Sequence, residues 1–143
     1  MPEPLKTIFT IGHSNLPLDD FIRALKKARI DTLVDIRTIP YSKYCPHFNA
    51  NTFRSAVEAG SIQYLYRGKN LGGRGANEGY EDAIKELSDM AEGGIRVCVM
   101  CSEGDYKKCH RYLTLTPSFK KQGLSVTHIK YEYENGKKSH RNK

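Results

Sequence analysis

Residues 95–103 read Ile95-Arg96-Val97-Cys98-Val99-Met100-Cys101-Ser102-Glu103. The run from Ile95 to Met100 is almost continuously apolar, the pattern of a central parallel strand buried on both faces. Upstream, Tyr80, Ala83, Ile84, Leu87, Met90 and Ala91 recur at helical spacing until Gly93-Gly94 ends the pattern. Before that helix comes a glycine-rich loop over 67–79, and before the loop an alternating strand, Ile62 to Tyr66. Asn51 to Ala59 forms a short helix stopped by Gly60, and 37–50 is a loop with two prolines. Thr32 to Ile36 is another strand. A helix precedes it, with Pro17 at its first position, Asp19 and Asp20 in its first turn, and Lys26, Lys27 and Arg29 at its close. The first strand, Thr7 to Ile11, halts at Gly12.

Downstream, a helix is expected from about Cys109, carrying Tyr112, Leu113 and Phe119, with a kink or a second short helix at Pro117. Leu124 to Ile129 is the last strand. Five strands alternating with four helices predict an α/β fold: a single three-layer domain with a mainly parallel five-stranded sheet. The domain is expected over 1–132, with 133–143 a flexible basic C-terminal tail.

A chain of 143 residues is one domain's worth and large enough to fold without disulfides or metal. No run of apolar residues is long enough to span a membrane. Met1 to Lys6 lacks the apolar segment of a signal peptide, so a cytoplasmic location with no membrane partner is expected. The net charge is +7, of which residues 130–143 supply +3 through five Lys/Arg against two Glu. Such a balance suits a solvated basic surface, and it also suits an anionic partner, either a small molecule or nucleic acid. In that location the four cysteines are expected to be reduced. Cys98 and Cys101 form a C-x-x-C inside a strand, where they face opposite sides and lie roughly 10 Å apart. That separation is too wide for a disulfide.

In an open parallel sheet, ligands bind outside the carboxyl ends of the strands. Those ends carry Gly12-His13-Ser14, then Asp35-Ile36-Arg37, then Leu71-Gly72-Gly73-Arg74-Gly75, then Cys101-Ser102-Glu103. Cys109-His110-Arg111 opens the following helix. Asp35 and Arg37 share a strand face, which fits an internal ion pair as well as a site. Gly72-Gly73 matches neither a P-loop nor a dinucleotide fingerprint. Cys98 reads as core, and Cys45 and His47 as incidental loop residues. Arg111 and His110 near a helix start suit an oxyanion, and a cysteine there would be made nucleophilic. Cys101, Cys109 and His110 lack zinc-finger spacing, so no metal is assigned. The candidate catalytic residues are therefore His13, Asp35, Cys101, Glu103 and His110. The candidate substrate-binding residues are Ser14, Arg37, Gly72, Gly73, Arg74 and Arg111.

Ile11-Gly12-His13-Ser14, Asp35-Ile36-Arg37 with Pro40, Leu71-Gly72-Gly73, and Cys101-Ser102-Glu103 with Cys109-His110-Arg111 are collinear over about residues 7 to 130. Together they resemble the domain-of-unknown-function family numbered 488. The resemblance implies a compact α/β domain with these motifs clustered, and a family without an assigned activity. Leu33 to Arg37 and Val97 to Gly104 also resemble the two signature strands of rhodanese-type sulfurtransferases. That similarity implies a persulfide-carrying role for Cys101, but it does not extend to Gly12-His13-Ser14 or Cys109-His110-Arg111.

These features predict an enzyme-like cleft for a phosphate-bearing small molecule or nucleotide. Two other readings remain open. One is a nucleic-acid-binding module using the basic edge and tail, and the other is thiol or sulfur-transfer chemistry at Cys101. The cofactor is left unassigned.

Overall fold

The computed structural model describes residues 6–37, 40, 45–71, 79–102 and 114–130, and the backbone of 132–134 and 137–139. In chain order the elements are β1 (Thr7–Gly12), α1 (Leu18–Lys27), β2 (Thr32–Asp35), a 3-10 turn (Pro46–Phe48), α2 (Ala50–Ala59) and β3 (Gln63–Tyr66). Then come α3 (Gly68–Leu71), α4 (Tyr80–Glu92), β4 (Val97–Cys101), α5 (Thr116–Lys121) and β5 (Ser125–His128). The backbone of Glu132–Glu134 and Lys137–Ser139 pairs antiparallel.

The five strands form one sheet in the order β3-β2-β4-β1-β5, and every neighbouring pair is parallel. β4 sits at the centre because its sequence allows nothing else. All five of its residues are buried, and a buried side chain of this size contributes about 1.5–3 kcal/mol. One layer packs Phe21 and Leu25 of α1, Phe48 of the 3-10 turn, and Phe53 and Val57 of α2 on Phe9, Ile11, Leu33, Tyr64, Cys98 and Met100. The other packs Ile84 and Leu87 of α4 and Phe119 of α5 on Ile8, Val34, Val97, Val99 and Cys101. The sheet between these layers is the expected three-layer fold, and Cys98 and Cys101 face opposite layers.

One local expectation shifts. Pro17 is extended, with ψ 142, and stands just before α1 rather than inside it. Pro117 lies in the first turn of the short helix α5, one of the two arrangements expected there, and the π-helical Thr114 and Leu115 lead directly into it.

The topology positions the site. The chain leaves β1 and β2 through α1 and α2 on one layer, and reaches β4 and β5 through α4 and α5 on the other. At the carboxyl end of β4, therefore, both neighbouring strands send their connections to the opposite side. Such a switch point opens a crevice in a parallel sheet.

Candidate functional site

β1 and β4 stay paired past the end of the strand. The His13 N–H donates to the Cys101 carbonyl and the Ser14 N–H to the Ser102 carbonyl, both at 2.9 Å. This carries His13 onto the α1/α2 side, where it is only 3% exposed. Its ring stacks on Phe48 at 4.2 Å, with the planes 18° apart. Nδ1 lies 2.6 Å from the Ser14 carbonyl. A carbonyl only accepts, so Nδ1 carries the proton and Nε2 is a bare acceptor. Nε2 lies 3.4 Å from Arg37 Nη1, whose guanidinium is always charged and donates. Burial is the main cause that lowers the His13 pKa to about 4; the Ser14 carbonyl works against it and Arg37 with it. The ring is uncharged at neutral pH.

Asp35 is the last residue of β2 and is fully buried. Arg37 grips it side-on, Nε to Oδ1 at 2.9 Å and Nη2 to Oδ2 at 2.7 Å. The Arg37 backbone N–H adds a bond to Oδ1 at 3.1 Å, and the Tyr64 hydroxyl adds one to Oδ2 at 2.5 Å. Each carboxylate oxygen thus accepts two hydrogen bonds, which fills it. The Arg37 guanidinium lies 5.7 Å from the Phe53 ring centre. Three contacts, two to Asp35 and one to His13, occupy three of its five N–H donors. The charges of Asp35 and Arg37 cancel, so with neutral His13 and Tyr64 the cluster carries no net charge.

The turn at Ser14 has φ 47, in the left-handed region that a serine adopts at some cost. Two residues that read as incidental hold this turn. Cys45 Sγ lies 3.4 Å from the Ser14 carbonyl, and His47 Nε2 donates to the Leu16 carbonyl at 3.0 Å. His47 also lies against Phe48, with ring centres 4.4 Å apart. Gly68 packs so closely beneath the site that an added Cβ would stand 2.0 Å from the Arg37 carbonyl oxygen and 2.3 Å from the Tyr66 hydroxyl.

His13, Ser14, Asp35 and Arg37 therefore come together at the carboxyl ends of β1 and β2, three of them in one hydrogen-bonded cluster. Cys101 pairs with Gly12 at the same sheet edge, but its side chain belongs to the α4/α5 layer. Gly72, Gly73, Arg74, Glu103, Cys109, His110 and Arg111 lie outside the described residues. Tyr64 was missed as a site residue, although Tyr64 and Tyr66 alternate onto one strand face. Among the described residues no group of three or more His, Cys, Asp or Glu could hold a metal ion, and no helix is long and apolar enough to cross a membrane.

Residues 17–78 match the model of a family described as domain of unknown function DUF488. The matched segment includes Asp35, Arg37, Tyr64, Gly72 and Gly73; His13 and Cys101 lie outside it. No curated protein and no solved structure matches the chain. The local similarity to rhodanese-type sulfurtransferases finds no support in these comparisons.

Proposed function

We propose that the chain binds a phosphate-bearing small molecule or nucleotide in an enzyme-like cleft at the carboxyl ends of β1, β2 and β4. The observation that carries this reading is Arg37, a residue only 7% exposed whose guanidinium is clamped in a fixed orientation at the switch point. A preoriented guanidinium fork suits an oxyanion better than a mobile lysine does. Asp35 neutralises Arg37, so further cations must meet the ligand's charge. Arg111 and Arg74 take that part in the reading, with Ser14, Gly72 and Gly73 as further contacts. Asp35, with both oxygens filled by hydrogen bonds, orients Arg37 in this reading. His13, uncharged at neutral pH, is the proposed acid/base group beside the ligand, joined by Glu103 and His110. Cys101 receives no nucleophilic role, because its thiol belongs to the other layer.

The test is a chemical-shift titration of the isotopically labelled protein with inorganic phosphate and with nucleoside monophosphates. Saturable shifts at His13, Ser14, Ile36, Arg37 and Ser102 are expected. Absence of saturable shifts there overturns the reading. Shifts confined to the basic C-terminal residues, together with steeply salt-dependent binding of single-stranded nucleic acid, would favour a nucleic-acid module instead.

A further inference from the structure

We infer that Tyr64 is a positioning residue of this site: its hydroxyl locks the Asp35 carboxylate, which in turn aims Arg37 at the ligand's oxyanion. The inference rests on the anion-binding reading above and adds a residue to it. Tyr64 belongs to β3, an edge strand of the sheet, while Asp35 and Arg37 belong to β2 and the turn after it. The register pairs Leu33 with Tyr64, so the tyrosine starts below Asp35 and reaches up along the sheet. Its hydroxyl meets Oδ2, the same oxygen that Arg37 Nη2 holds. Without that bond Oδ2 would keep only one of its partners, and the carboxylate plane would be free to rock. The guanidinium would rock with it, because the Asp35 fork is what fixes its plane.

Three observations fit a positioning role. The Tyr64 ring is itself held, edge-on to Phe53 at 6.0 Å and 82°, with the Arg54 guanidinium 5.8 Å from its centre. Phe53 is the residue that also lies against Arg37, so one aromatic side chain sets the height of both. Burial first, and then the Asp35 charge and hydrogen bond, push the Tyr64 hydroxyl well above its ordinary range. At neutral pH it is a donor. No atom of Tyr64 needs to touch the ligand, so Tyr64 acts through Arg37.

The test compares Tyr64→Phe with the wild type and with Val57→Ala. Val57 is buried in the same layer and makes none of these contacts. Inorganic phosphate binding is measured by isothermal titration, and the Arg37 side-chain N–H resonances are recorded on the phosphate-loaded proteins. In the wild type those resonances should be resolved, since the fork blocks guanidinium rotation. In Tyr64→Phe phosphate should bind about tenfold more weakly, the size of one hydrogen bond to a charged group, and the Arg37 Nη signals should broaden or merge. Val57→Ala should melt earlier yet bind phosphate as the wild type does. Wild-type affinity and sharp Arg37 signals in Tyr64→Phe would overturn the inference while leaving the anion site standing. Equal weakening in Val57→Ala would reduce Tyr64 to a packing residue and overturn it too. If the wild type binds no phosphate, the anion-binding reading fails, and the positioning role falls with it.

Discussion

Replacing His13 with Asn should remove a defined part of the protein's acid sensitivity. Asn keeps an amide N–H where Nδ1–H meets the Ser14 carbonyl, but it has no proton to gain. In the folded chain His13 protonates near pH 4 instead of its ordinary 6.5, chiefly because the ring is buried. Between those values the unfolded chain holds more protons than the folded one, so stability rises with pH across the window. The contribution is complete above pH 6.5 and is lost as the pH falls towards 4. At 1.36 kcal/mol for each unit of displacement it amounts to on the order of 3 kcal/mol in full and about 2 kcal/mol by pH 5. Urea unfolding of both proteins at pH 7, 6, 5 and 4.5 isolates the difference. The variant starts lower at pH 7, having lost the Phe48 stack and the Arg37 contact, but its curve should be flatter by about 2 kcal/mol between pH 7 and 5. Parallel curves would refute the reasoning, because they would mean that His13 is solvated or already charged in the folded chain.

Three other perturbations test neighbouring parts of the account. Arg37→Met leaves the Asp35 carboxylate buried without its counter-charge, and should cost about 3–5 kcal/mol in urea unfolding; a loss below 1 kcal/mol would show that the pair is not desolvated. Gly68→Ala sets helix propensity, which favours alanine by about 1 kcal/mol, against a methyl 2.0 Å from a backbone oxygen. The clash should win, with about 1–3 kcal/mol lost, and a raised melting temperature would contradict the close approach. The Ser88 hydroxyl is buried in α4 and has no hydrogen-bond partner among the described residues. Ser88→Ala should therefore raise stability by about 1 kcal/mol, and a drop would mean that the hydroxyl is satisfied.

The layers were legible because strand parity and helical spacing are local. The apolar run at Val97–Cys101 marks the central strand, and parity alone puts Cys98 and Cys101 on opposite faces. The same rule puts Asp35 and Arg37 side by side. What parity cannot supply is which strands are neighbours. Tyr64 reaches Asp35 only because β3 pairs with β2 in the register Leu33 to Tyr64, a relation between segments that share no pattern. The side of the sheet that Cys101 faces relative to His13 depends likewise on the pairing of Gly12 with Cys101. In that register a glycine takes the position beside the thiol, and His13 falls on the other face. Cys45 and His47 were passed over for a different reason. Their contacts come from an irregular turn folded back on the loop after β1, and no period encodes them.

The account's central claim is that the crevice beside Arg37 and His13 holds an oxyanion, and the most direct measurement uses an anion that can be seen. Crystals soaked in low-millimolar selenate, a tetrahedral analogue of sulfate, would be phased for anomalous scattering at the selenium edge. The account predicts one dominant peak with oxygens in hydrogen-bond reach of Arg37 Nη atoms, close to His13 and the Ser14 turn. No peak at the crevice, or peaks only among the basic C-terminal residues, would contradict it.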